Sequence, residues 1–411
     1  MIEVSEKVVN GEIQGFCESK FEPVLKEFIR NFQERDEVGA SVCIQIEGET
    51  QVDLWGGLAD PKKRQAWEKD TVSIIFSCTK AAVALCAHIL IDRGKLDLYA
   101  PVTDYWPEFG KNGKENITVA MMLNHSAGLP AFRDPIKKDG FADWDYMVHR
   151  LEDEPPFWEP GTRNGYHMIT FGWTIGELIR RASGQSLGSF FKENVADPFA
   201  LDYWIGLPEE IEPRVAPIIL SKYAIGDPLP EFIQTLLNKP DSITSLSLMN
   251  TGHFMVNDPK YHTAEIGGAG GISNARGVAG MFAPLSCDGS LHDINLLSKD
   301  AITRMSQVSM ATQQDLTLLI PSRFALGFMK SLDNRHRSYE NESLIIGEKA
   351  FGHAGAGGSL GFADPECRLA FGYTMNRQGH GIMINRRGQS LVDQCYRALG
   401  YTSDKGGIWT N

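Results

Sequence analysis

The chain is short of positive charge: 40 Lys and Arg stand against 52 Asp and Glu, a formal charge of -12. That balance argues against a nucleic-acid or anionic-membrane partner, which calls for a basic surface. Long apolar runs are missing too, with no stretch of the ~18 residues a membrane span requires. The N-terminal MIEVSEKVVNGEIQGF has no basic start followed by an apolar run, so it does not read as a signal peptide. Cys17, Cys43, Cys78, Cys86, Cys287, Cys367 and Cys395 form an odd, scattered set without a CxxC pair, which fits reduced thiols and a cytoplasmic location. No HExxH occurs, and His125, His149, His167, His253 and His262 lack ligand spacing, so no metal is expected. No GxGxxG or P-loop follows a strand, and no cofactor is expected either.

What remains is a chain of 411 residues, 42% hydrophobic and 22% charged, with no low-complexity segment. This is the composition of a globular protein with a sizeable core. Phe21–Arg35 has helical spacing of Phe21, Val24, Leu25, Phe28, Ile29 and Phe32; Val38–Ile46 and Gln51–Trp55 alternate as a strand pair. Near the other end, Ala350–Gly355, Ser359–Ala363 and Arg368–Met375 read as strands, with a last helix over Gly388–Leu399. Helices are also expected at Ile117–His125, Thr170–Ala182 and Ala275–Leu285. Strands at both ends and helices between them predict an α/β (α+β) fold: an antiparallel sheet from the two termini, 1–95 and 267–411, with a mostly helical lobe at 96–266. Glu209–His262, without clear period, is expected to line a cleft entrance.

The chemistry is carried by IIFSCTK. Thr71–Phe76 looks strand-like, and Ser77 and Lys80 sit three residues apart where a long apolar helix begins, with Gly94 as its C-terminal cap. Residues three apart share a helix face, so the lysine amine can take the serine proton. The helix start offers backbone N–H groups to a developing oxyanion, and desolvation there lowers the amine's pKa. Ser77 as a plain N-cap is the bland alternative. A second SxxK, Ser189 and Lys192, falls inside a surface helix with no oxyanion site. Cys78 is turned to another face by the helix. Gly357-Gly358-Ser359-Leu360-Gly361 fits the GxSxG elbow, but an elbow requires a helix after the serine, and GFADPECRLAFGY reads as turn and strand.

Two further pieces follow. Tyr166 in PGTRNGYHM lies on a loop edge, where a phenol beside a lysine can shuttle a proton. His353-Ala354-Gly355 lies on a strand whose small residues let substrate approach the backbone and contribute an N–H to the oxyanion. In the order SxxK, Tyr, HxG, the chain resembles the serine β-lactamase and penicillin-binding-protein fold family, and within it the family VIII carboxylesterases, through IIFSCTK, LNHSAGLP, PGTRNGY and FGHAGAGGSLGFADPECRLAFGYTMN.

The resemblance implies that Ser77 is acylated, that Lys80 and Tyr166 form the proton-transfer pair in an order left open, and that the Ser77 and Ala356 N–H groups bind the oxyanion. His353, Gly355 and Met168 are the expected substrate contacts. Met168 replaces the Asn of the lactamase pattern and His353 the Lys of its KTG, which weakens recognition of an anionic amide and keeps ester hydrolysis. The expected protein is therefore a serine carboxylesterase for short-chain, neutral esters, with Phe132, Trp144, Trp158 and Tyr223 as aromatic cleft candidates. A β-lactamase or D-alanyl peptidase, an acyltransferase and a silent scaffold are the rivals. The partner is a small-molecule ester, and homo-oligomerisation stays open.

Overall fold

The central strands formed by the terminal segments are buried on both faces, so the sheet carries a packed layer on each side. The computed structural model describes residues 1–223, 226, 228–337 and 342–411. Seven strands, β1 (Ile2–Val8), β2 (Gly11–Cys17), β3 (Gly39–Ile46), β4 (Glu49–Asp60), β5 (Phe351–Ala354), β6 (Leu360–Asp364) and β7 (Leu369–Met375), pair antiparallel in the order β1-β2-β4-β3-β7-β6-β5. The first hairpin, β1–β2, was outside the sequence expectation: its burial pattern is that of a mostly exposed edge, with Ile13 and Cys17 alone fully covered. The β3–β7 pairing joins the two ends of the chain, Val42 facing Tyr373 and Ile44 facing Phe371.

Period 2 sends Val42 and Ile44 to one face of β3 and Cys43 to the other. On the first face lie α1 (Glu22–Glu34), whose Val24, Leu25, Phe28 and Phe32 are buried, and the C-terminal Arg386–Leu399 helix packed on it. Against Cys43 lies Ala275–Ser286, whose Ala275 and Ala279 allow close approach. At Gly372 a Cβ would stand 2.3 Å from the Ala275 carbonyl oxygen, so only glycine lets this helix sit so near the sheet.

The helical layer centres on α2 (Thr79–Asp92), buried all round from Thr79 to Leu90, as expected of a helix inside a core. It packs against α3 (Phe171–Ser183), which ends on left-handed Gly184. One apolar cluster runs from α2 and α3 to Val278, Met281 and Phe282 of the Ala275–Ser286 helix. Two expected elements are shorter than the pattern suggested. The Thr71–Phe76 strand is reduced to Ser73–Ile74, paired with Ile272–Ser273, because Phe76 leaves extended geometry at φ 47°. The Ile117–His125 helix is Val119–Leu123, opening on a Thr118 side-chain cap and closing before His125, which is itself left-handed at φ 66°. Among the described residues no helix is long and apolar enough to cross a membrane.

Candidate active site

Ser77 is held at a strained turn. Phe76 adopts left-handed backbone, a conformation that costs of order 1–3 kcal/mol for a non-glycine residue and persists only where its surroundings fix it. They do so here: Thr79 Oγ1 donates to the Phe76 carbonyl at 2.5 Å and accepts the Gly271 N–H at 2.8 Å. The Ile75 N–H donates to the Gly271 carbonyl at 3.0 Å. A 3₁₀ turn at Phe76–Cys78 then leads into α2, so Ser77 stands at the helix start, on the wall of a cavity.

Lys80, one turn on, is 0% exposed. Its Nζ lies 3.0 Å from Ser77 Oγ and donates to the Met168 and Gly268 carbonyls, each at 2.6 Å. Burial holds the amine well below its ordinary pKa, against a smaller opposing effect of Cys78. A neutral amine has two N–H donors and one lone pair; the two carbonyls take the donors, and the lone pair is left toward the Ser77 hydroxyl. The Gly268 carbonyl gets there because α3 and the 267–271 loop meet backbone to backbone. A Cβ on Gly268 would stand 2.3 Å from the Ile169 carbonyl oxygen, and one on Gly172 2.2 Å from the Gly268 nitrogen.

Tyr166 is buried, its ring 4.7 Å from Lys80 Nζ, packed parallel to Phe324 and tilted against His125. Its backbone N–H donates to both carboxylate oxygens of buried Asp315, which also accept the Thr317 and Leu318 N–H groups and the Ser322 hydroxyl. Burial raises the phenol pKa, against the opposing effect of a hydrogen bond with Ser77, so Tyr166 keeps its proton.

His353, an expected substrate contact, lies behind the cavity wall. It is 0% exposed and does not line the cavity. Nδ1 donates to the Ala354 carbonyl at 2.7 Å, and Nε2 lies 3.4 Å from the Tyr166 hydroxyl. Burial, helped by Lys80, lowers its pKa to about 3, so the imidazole is neutral. Gly355 is likewise behind the wall: its N–H donates to the Ser359 carbonyl at 2.8 Å, and a Cβ would stand 2.1 Å from Ser359 Oγ and 2.3 Å from the Ile75 carbonyl oxygen. That contact lays the strand end directly beside the Ser77 turn. Ala356 and Met168 do line the cavity with Ser77, and the Gln378 amide donates to the Ala356 carbonyl at 3.3 Å.

The cavity has a volume of about 630 Å³. The Glu209–His262 segment supplies part of its wall, including Leu220, Phe232, Leu248 and Phe254. Of the four aromatic candidates only Tyr223 lines it; Phe132, Trp144 and Trp158 pack elsewhere, and Phe76, Phe141, Phe232 and Phe254 take their place. Periodicity could not assign those side chains, because it does not say which side of a loop faces in.

The competing serines and thiol are occupied otherwise. Ser359 is buried, donates from Oγ to the Ile75 carbonyl at 2.9 Å, and is followed by strand β6 rather than a helix. The Cys78 thiol points to the His353 carbonyl at 3.1 Å, and burial pushes it up to about 12. Lys192 pairs with Asp197 at the surface, and the Ser189 N–H is capped by Ser186. No cluster of three metal-ligating side chains occurs among the described residues. Asp315 and the Gly268 carbonyl were not anticipated; the GGAGG run at 267–271 was the one sequence signal of such close packing.

Comparison with known proteins bears on the family and the fold. The sequence pattern of the Beta-lactamase family matches residues 25–391. Among characterised relatives, the Esterase/beta-lactamase LipL of Mycobacterium tuberculosis is 31% identical over 369 residues, spanning 88% of this chain and 82% of its own. Among solved structures, a family VIII carboxylesterase superposes with TM-score 0.83 at 36% identity, covering 94% of this chain and 100% of its own. A penicillin-binding-protein homologue from Caulobacter crescentus gives TM-score 0.83 at 32% identity over 94% and 99%.

Proposed function

We infer from its place in the Beta-lactamase family, to which the chain belongs as a serine hydrolase resembling family VIII carboxylesterases, that the protein hydrolyses short-chain carboxylic esters through an acyl-enzyme on Ser77. One observation carries the assignment: Lys80 Nζ sits 3.0 Å from Ser77 Oγ with its two donors engaged by backbone carbonyls. The neutral amine takes the hydroxyl proton as Oγ bonds to the ester carbonyl carbon. The carbonyl oxygen becomes an oxyanion held by the Ser77 and Ala356 N–H groups. As the tetrahedral adduct collapses, the C–O bond to the alcohol breaks and Tyr166 donates its proton to the leaving oxygen, regaining one from Lys80. Water then repeats the sequence, releasing the acid and restoring Ser77.

Lys80 is assigned as the base of the pair because burial favours its unprotonated amine, which has a lone pair to accept the proton, and favours the protonated phenol of Tyr166 over the phenolate. An anionic β-lactam is a poorer fit. Neither Lys nor Arg lines the cavity among the described residues, and His353 is turned away from it and neutral. Hydrolysis of p-nitrophenyl butyrate by wild type and its loss in Ser77→Ala test the reading, with a chromogenic cephalosporin turned over at least about 10²-fold less efficiently. Equal ester hydrolysis by both proteins would contradict it.

A further inference from the structure

The cavity is far larger than a short acyl group requires. At about 630 Å³ it is in the range that encloses a drug-sized molecule. Its wall is apolar over most of its extent, with Phe141, Ile169, Leu248, Phe254 and Ile382 among the contributors. Its ionisable lining among the described residues is the Tyr223 phenol, the His380 ring packed against it with centroids 4.2 Å apart, and the Glu342 carboxylate, whose Oε2 accepts from Arg337 Nε at 3.0 Å. The charge is therefore answered within the protein. The apolar wall also reaches the surface: Leu220 lines the cavity and is 59% exposed.

From these observations, and resting on the short-acyl reading above, we propose that the alcohol half of the substrate is a bulky, uncharged, apolar group that fills this cavity. If the acyl half is short, the remaining volume falls to the alcohol. Burying apolar surface on such a wall is favourable, whereas a cationic alcohol would be desolvated there with the one lining carboxylate already paired to Arg337.

The test is kcat/KM for a matched series of butyrates of primary alcohols, so that leaving-group chemistry stays comparable: ethyl, cyclohexylmethyl and 2-(2-naphthyl)ethyl. It adds the neutral and cationic isosteres 3,3-dimethylbutyl and choline butyrate, with Ser77→Ala run in parallel. The expected result is a rise of at least about tenfold from ethyl to the cyclic alcohols, and 3,3-dimethylbutyl above choline by a similar factor. In Ile382→Trp, which narrows the cavity, the ratio of naphthylethyl to ethyl ester should fall at least about fivefold. A flat or falling alcohol series, a choline ester preferred to its neutral isostere, or an unchanged ratio in Ile382→Trp, with Ser77-dependent ethyl butyrate hydrolysis intact, overturns the substrate proposal and leaves the esterase reading standing. Loss of Ser77 dependence across the whole series overturns the esterase reading first.

Discussion

Replacing Lys80 by Met removes one amine and keeps most of the stem, and the consequence for stability depends on pH in a way that reports the state of that amine. In the folded protein, burial keeps Lys80 neutral down to a pKa well below the ordinary 10.5. Between that lowered value and 10.5 the unfolded chain holds a proton that the folded chain does not, so wild-type stability rises with pH across this window. The slope is about 1.4 kcal/mol per pH unit. Two pH values two units apart inside that window therefore differ by about 2.7 kcal/mol in this contribution. With ~2.1 cal/mol/K per residue of unfolding entropy, a chain of 411 residues converts this into about 3 °C of Tm. The variant lacks that gain. It also leaves the Met168 and Gly268 carbonyls without their donor, at about 1–3 kcal/mol each, but this loss is the same at both pH values and cancels from the comparison. Other titrating groups are common to the two proteins. Thermal unfolding of wild type and Lys80→Met at the two pH values should show the difference Tm(wild type) minus Tm(variant) growing by about 3 °C toward the higher pH. A difference that stays constant would mean that Lys80 titrates alike in both states, and the base assignment would lose its physical ground.

Tyr166→Phe removes only the hydroxyl that faces Ser77 and His353 Nε2, so kcat should fall by about 10²–10⁴ while Tm changes little. Ser359→Ala loses the 2.9 Å bond to the Ile75 carbonyl and should cost about 1–2 kcal/mol in denaturant titration, with esterase activity retained. Gly355→Ala forces a Cβ to within 2.3 Å of the Ile75 carbonyl oxygen, displacing the strand end that carries Ala356; kcat should drop by about 10² with a loss of about 1–3 kcal/mol in stability. Because the His353 pKa is lowered to about 3, the imidazole stays neutral as pH rises from about 5 to 8, and His353→Gln should leave the shape of the kcat profile over that range unchanged.

The sheet formed by both ends of the chain was legible because β3, β4 and β7 alternate and are bounded by turns. The Ser77 and Lys80 pair was legible because spacing of three on a helix brings side chains together whatever the tertiary context. The β1–β2 hairpin was not, since an exposed edge carries little hydrophobic alternation. His353 was placed on the right strand, but its burial behind Tyr166 depends on Phe324 and His125 arriving from elsewhere in the chain. The same holds for Asp315, which grips the Tyr166 backbone from 149 residues away. Contacts between backbone groups, such as Gly268 with Lys80, leave only an indirect trace in the sequence as glycine.

The central claim is that Ser77 carries the acyl group, and the most direct measurement is to trap it. Wild-type protein quenched in acid during turnover of a slowly deacylating ester, then digested and mapped by mass spectrometry, should show one acyl adduct on the peptide containing Ser77. A fluorophosphonate should block that same site. An adduct on the peptide containing Ser359, or turnover with no adduct under conditions where a fluorophosphonate also fails to inhibit, would contradict the account.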